Sequence, residues 1–291
     1  MNLKKISITL FTVTLFLFLI GTFYDWQIDT LLKGHFHTYG KFFETFGLLP
    51  ITFVRVFCAT YIFRIISLEN KRLENCTKVI LYYFSTKYVA NGLLTVNLML
   101  HYWRTGEYTM PGAFMIICYY LIGAILTLIV IRCLYKVNRN TLLPLLNRVI
   151  MVFIITFIIN FEVEFIKTHV GRARYYTVEA GLGIYTPWYH INGLTDNNDF
   201  MSFISGHTTT AFMAILPIFF TLPHQTKLRN YLYAFGVTFG VLVAFSRMVL
   251  SQHYLTDVTG SFIISTITIF LMCKLFKVKL DGSEINITKG S

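Results

Sequence analysis

The chain has 291 residues, of which 55% are hydrophobic and 13% charged, with a mean hydropathy of +0.60. A soluble globular domain carries about 25% charged residues, so this composition excludes the soluble classes and indicates a chain embedded in membrane lipids. The net charge of +11 is then read as basic loops on one membrane face rather than a nucleic-acid surface, which excludes nucleic acid as a partner.

A helix needs about 20 apolar residues to cross a bilayer. Eight stretches are predicted to do so: 6–24, 46–66, 77–100, 113–135, 147–167, 207–222, 231–250 and 255–275. The first follows Lys4 and Lys5 like a signal peptide. It is longer than a usual signal core and lacks a small-residue cleavage site, so it is predicted to stay as an uncleaved span. Lys87 and Asn91 interrupt the third, and the sixth is short. The cysteines at 58, 76, 118, 133 and 273 lack metal-ligand spacing and are predicted to be small buried hydrophobes. The loop 168–205 is too polar to span, and its segment Tyr185-Thr186-Pro187-Trp188-Tyr189 suits either the headgroup level or an ordinary connection. Residues 281–291 read as a polar cytoplasmic tail.

Charge orients the spans. With the N-terminus inside, sixteen of the 25 Lys and Arg fall on cytoplasmic segments, seven on the opposite face, and Arg55 and Lys87 within spans. Three polar clusters then share the outer face: Lys167 to Arg174, Ser205-Gly206-His207, and Ser246-Arg247 with His253 and Asp257.

Ionisable groups at a bilayer are costly and are commonly functional. Lys167, Arg174 and the planar fork of Arg247 supply the positive donors that a phosphoryl group requires, with Arg172 as an auxiliary. Snorkelling anchors are the plain alternative for each one alone. Ser205-Gly206-His207 opens a predicted helix, where Gly206 lets the backbone come close to an anion and His207 can protonate a leaving oxygen. His253 and Asp257 are four apart on one helix face. The carboxylate can hold one imidazole nitrogen while the other attacks, or the two can form a structural surface pair.

Lys167-x6-Arg174, Ser205-Gly206-His207 and Ser246-Arg247-x5-His253-x3-Asp257 together resemble the signature of the type 2 phosphatidic acid phosphatase superfamily, which includes the vanadium haloperoxidases. The resemblance covers about residues 145–275. Gly171-Arg172-x-Arg174 and Thr186-Pro187-Trp188-Tyr189 are similar to bacterial members, especially low-GC Gram-positive ones. Tyr175 and Ile204 stand where the family pattern has prolines.

The resemblance implies an all-α polytopic bundle with a six-helix core. It implies that His253 attacks phosphorus, Asp257 orients it, and His207 protonates the alcohol and then helps activate water. Lys167, Arg174, Ser205, Gly206 and Arg247 would hold a lipid phosphate, with no metal or other cofactor. Residues 1–110 then form N-terminal spans that partly add to the core, and 111–280 the catalytic bundle. A phosphotransferase with the same site remains open. So does a transporter or lipid-binding protein using Arg55, Lys87, Glu162 and Glu164, although these four show no repeat relationship.

Overall fold

A computed structural model describes residues 3–280, and the expected tail 281–291 lies outside the described residues. The fold is all-α, and no strand forms among the described residues. All eight expected spans are helical. Six stretches are long and apolar enough to cross a membrane: Leu3–Leu32, His37–Ile65, Ala113–Tyr135, Arg139–Glu179, Thr226–Val249 and Leu255–Leu275. The protein is therefore a multi-pass membrane protein.

Helix α1 (Leu3–Leu32) runs well past the expected end at residue 24 and exposes Phe16, Leu19 and Phe23 along its outer side. A short α2 (His37–Phe46) leads into α3 (Leu49–Ile65), which starts with Pro50 in its first turn, where a missing N–H costs nothing. Helix α4 (Lys71–Thr105) is capped by Asn70, whose side chain accepts from the N–H groups of Arg72 and Leu73. It is long enough to cross, but Lys87, Asn91 and Asn97 keep its apolar content below that of a lipid-exposed span. Helix α5 (Ala113–Tyr135) packs beside it, and Arg139–Leu142 forms a short α6.

The central helix α7 (Leu146–Val170) buries Val149, Val152, Ile155, Thr156, Ile159 and Val163, a spacing of three and four that sets one face into the bundle. After a short α8 (Tyr175–Glu179) and the long loop comes α9 (Gly206–Phe212). It passes into a 3-10 stretch, Met213–Phe220, at a segment containing Pro217, which cannot donate to a regular helix. At 1.5 and 2.0 Å rise this pair is about 26 Å long, just short of the hydrocarbon thickness of about 30 Å. Helices α10 (Thr226–Val249) and α11 (Leu255–Leu275) complete the bundle.

Small residues let helices meet closely. A Cβ on Gly236 of α10 would lie 2.5 Å from the backbone of Ile215. Gly236→Ala is expected to cost about 1–3 kcal/mol by overpacking, read as a lower unfolding midpoint in detergent; an unchanged midpoint would contradict this contact.

The cysteine expectation holds only in part. Cys58 and Cys273 are buried, whereas Cys76 and Cys133 face outward, because the outer surface of a membrane bundle accepts apolar side chains as readily as its core. The four intramembrane charges of the transport alternative do not converge. Arg55 is buried and donates to the Thr156 carbonyl at 2.6 Å, and Glu162 accepts from Thr268 on α11 at 2.8 Å. Lys87 and Glu164 are exposed.

Leu3 packs in one cluster with Met272, Cys273 and Val278, while Asp25 bonds to Thr256, so α1 and α11 run antiparallel. The ends of α1, α7 and α10 and the starts of α9 and α11 consequently lie together, opposite Leu3.

Candidate functional site

Lys167 occupies the last turn of α7. The helix stops at Gly171, whose φ of +62° is left-handed and whose Cβ, if present, would lie 2.5 Å from the Gly193 carbonyl. Only glycine fits both conditions. The returning loop is pinned there: Asn192 N–H donates to the Val170 carbonyl at 2.8 Å, and Thr195 N–H to that of Thr168 at 2.9 Å. Further on, Arg174 N–H donates to the Asp199 carbonyl at 2.9 Å and Ser202 N–H to that of Arg172 at 3.0 Å. The two arginines thus enter the bundle on an anchored segment.

Their roles differ. Arg172 is fully buried and spends its guanidinium on protein. It donates to Asp257 Oδ1 at 2.6 Å, Asp25 Oδ2 at 2.9 Å, Thr256 Oγ1 at 2.9 Å and the Thr186 carbonyl at 2.9 Å. Its charge also lies over the Tyr254 ring, 4.1 Å from the centroid. The auxiliary phosphate contact expected of Arg172 is therefore replaced by a structural clamp. Arg174 instead lines an open cavity of about 830 Å³, held by Asn198 Oδ1 and Gln252 Oε1, each at 2.8 Å.

Lys167, His207, Arg247 and His253 border the same cavity. His253 sits in the turn between α10 and α11 and is almost wholly buried. Its Nε2 lies 3.5 Å from Arg174 Nη1 and its Nδ1 lies 3.5 Å from Asp257 Oδ2. Arginine only donates, so Nε2 faces Arg174 with its lone pair and the proton sits on Nδ1, toward Asp257. Asp257 is fixed by three other donors: Arg172, Ser202 Oγ at 2.5 Å and the Tyr254 N–H at 2.9 Å, the last as part of a capping box that starts α11.

Burial pushes the His253 imidazole well below its usual range. The nearby carboxylate of Asp257 opposes the shift, and the Arg174 and Lys167 charges add to it. The ring is neutral at pH 7 and loses its lone pair only as pH falls through this depressed value. The acid limb of kcat/KM is expected below pH 6.5; an acid limb above 6.5 would contradict a neutral His253 nucleophile.

Ser205 caps α9 and is fully buried. Its hydroxyl accepts from Thr208 Oγ1 at 3.0 Å, and its N–H donates to the Asp257 carbonyl at 3.2 Å. Its hydroxyl is thus engaged in the cap. A Cβ on Gly206 would lie 3.6 Å from Lys167 Nζ, so this position allows the ammonium to approach α9. Among the described residues, Nε2 of His207 has no hydrogen-bond partner. Tyr175 and Ile204 are both buried. Tyr175 packs tilted against Trp26 at 4.7 Å between ring centroids, and Ile204 packs with Val163 and Phe203. The aromatic loop segment docks on α1: Trp188 donates to Thr22 Oγ1 at 3.0 Å and Tyr185 meets Trp26, leaving Tyr189 exposed.

Two functional neighbours escaped the sequence reading. Asp25 is buried and accepts from Arg172, from the Thr256 N–H at 2.9 Å and from the Thr256 hydroxyl. The available signal was a pair of carboxylates, Asp25 and Asp29, one turn apart beside an apolar span. Glu44 of α2 bonds Arg247 Nη1 at 2.5 Å. Asp25→Asn keeps an acceptor but removes the charge facing Arg172. It is expected to lower kcat about 10- to 100-fold with KM within about 3-fold; unchanged kcat would remove Asp25 as a positioning residue.

Comparison of the whole chain with curated proteins and with solved structures finds no match. Residues 142–280 match the family model described as PAP2 superfamily, a stretch that contains every motif residue above but neither Asp25 nor Glu44. The protein thus carries a PAP2 superfamily domain at residues 142–280, preceded by helices that close one side of its cavity.

Proposed function

We propose that this protein is an integral-membrane phosphatase that hydrolyses a lipid phosphate through a phosphohistidine on His253. The observation that carries the reading is the oriented His253, with Asp257 at one nitrogen and Arg174 at the other, in a cavity that also presents Lys167, Arg247 and His207. Nε2 attacks phosphorus and the phosphorus–oxygen ester bond breaks. His207, charged once the phosphate dianion is bound beside it, gives its proton to the leaving alcohol. Asp257 stabilises the charge that forms on the His253 ring. His207 then takes a proton from water, which attacks phosphorus, breaks the phosphorus–nitrogen bond and frees phosphate. Lys167, Arg174 and Arg247, with the Gly206 N–H at the start of α9, hold the equatorial oxygens, and Ser205 holds that turn in place through its cap.

The excess of Lys and Arg on segments at the opposite end of the bundle supports placing the site at the outer face of a cytoplasmic membrane. Phosphatidic acid, phosphatidylglycerophosphate and undecaprenyl diphosphate are the substrate candidates. The test is phosphate release from these three and from a soluble sugar phosphate, in detergent without added metal. Strong release from a lipid supports the reading, and none from any of them by folded protein overturns it. The cavity volume of about 830 Å³ leaves room for an acceptor beside a phosphoryl group, which favours phosphotransfer as the second reading. Phosphorylated product formed with an added alcohol would distinguish it from hydrolysis.

A further inference from the structure

The cavity has two unlike sides. Lys167, Arg174 and Arg247 surround the place where His253 Nε2 opens. The lining continues with α2, the end of α4 and the residues after it, which present Glu44, His37, Tyr102, Trp103 and Tyr108. Tyr102 and Tyr108 stack at 4.2 Å, and the Lys41 ammonium lies over the Trp103 ring, 4.6 Å from its centroid. Among the described residues, Glu44 is the one carboxylate in an ion pair with Lys167, Arg174 or Arg247. Its side chain is 6% exposed and that of Arg247 2% exposed, with Oε1 to Nη1 at 2.5 Å. Among the described residues, Glu44 Oε2 and Arg247 Nε have no hydrogen-bond partner. Of the other charges bordering the cavity, Lys33 pairs with Glu179, whereas Asp199 accepts from the neutral Tyr176 hydroxyl at 2.5 Å and keeps its charge.

We propose that Glu44 makes this a site for phosphate monoesters of uncharged alcohols and sets it against diphosphates. The inference rests on the phosphatase reading and adds its substrate class. Three cations face Glu44 and, at the rim, Asp199, which leaves one net positive charge and suits a monoester dianion better than a more highly charged diphosphate. The leaving group then meets Glu44 and aromatic rings. A neutral alcohol can lie on those rings without meeting a like charge, and the hydroxyl it carries on leaving can donate to the free Glu44 oxygen. A second phosphate would instead meet a like charge that already shares Arg247.

The test compares wild type with Glu44→Gln, a substitution of equal shape, on phosphatidic acid and undecaprenyl diphosphate. Wild type is expected to prefer the monoester in kcat/KM by about 10-fold or more, and Glu44→Gln to move that ratio at least about 10-fold toward the diphosphate. An unmoved ratio, or a wild type that prefers the diphosphate, overturns the role of Glu44 and leaves the phosphatase reading standing. Failure of wild type to release phosphate from either lipid overturns the phosphatase reading itself. Inhibition of wild type by inorganic phosphate and pyrophosphate gives a second readout that needs no variant. Phosphate is expected to bind at least as tightly; tighter pyrophosphate binding counts against Glu44 as the selector.

Discussion

His253→Ala is expected to lower phosphate release by about 10⁴-fold or more while the protein still folds and still binds phosphate. The expectation follows from what each cavity residue can do. Lys167, Arg174 and Arg247 only attract and donate. His207 and His37 are the other imidazoles bordering the cavity, but among the described residues neither pairs with a carboxylate as His253 does with Asp257. Loss of His253 therefore removes the attacking lone pair and leaves the anion site in place. The split is the diagnostic: kcat collapses, while inhibition by phosphate or vanadate persists within a few-fold. Variant activity close to wild type would exclude His253 as the nucleophile.

Arg172→Ala is expected to be the most destabilising single change near the site. It strips a buried cation from two buried carboxylates, Asp25 and Asp257, and from two further hydrogen-bond acceptors. Breaking a buried charge network by removing one partner costs about 3–5 kcal/mol. At about 2–4 °C per kcal/mol this lowers the unfolding midpoint by roughly 6–20 °C. Lysine should rescue poorly, since one ammonium cannot reproduce a planar fork that meets Asp25 and Asp257 on separate nitrogens. A phosphate ligand behaves in the opposite way: its loss weakens anion binding and spares the fold. An Arg172→Ala protein with normal stability and weakened phosphate binding would return Arg172 to the substrate.

The contrast between Arg172 and Arg174 shows where sequence reading ends. Both sit in one short basic segment, where motif spacing singles out Arg174 and residue type alone leaves Arg172 an auxiliary phosphate contact. Their difference comes from partners far away in the chain, Asp25 for one and Asn198 with Gln252 for the other. The three motif clusters were legible because each is a short-range pattern of rare polar residues in an apolar chain, and helix direction brings them to one end. The helical character of all eight stretches was legible from hydropathy for the same reason. Helix α1 was cut short because hydropathy falls at Asp25 and Asp29, whereas the helix continues and Asp25 is satisfied by Arg172 and Thr256. Glu44 had no local signature: it is one acid in an aromatic segment, and its meaning comes from Arg247, 203 positions later.

The central claim is a covalent phosphoryl group on His253. The most direct measurement is to mix purified protein with phosphatidic acid carrying ³²P in its phosphate, quench within milliseconds to seconds, and map the label. The account predicts acid-labile, base-stable label on the peptide containing His253, absent from His253→Ala and chased away by unlabelled substrate. Phosphate release at a normal rate with no label on that peptide, or label on any other residue, would contradict it.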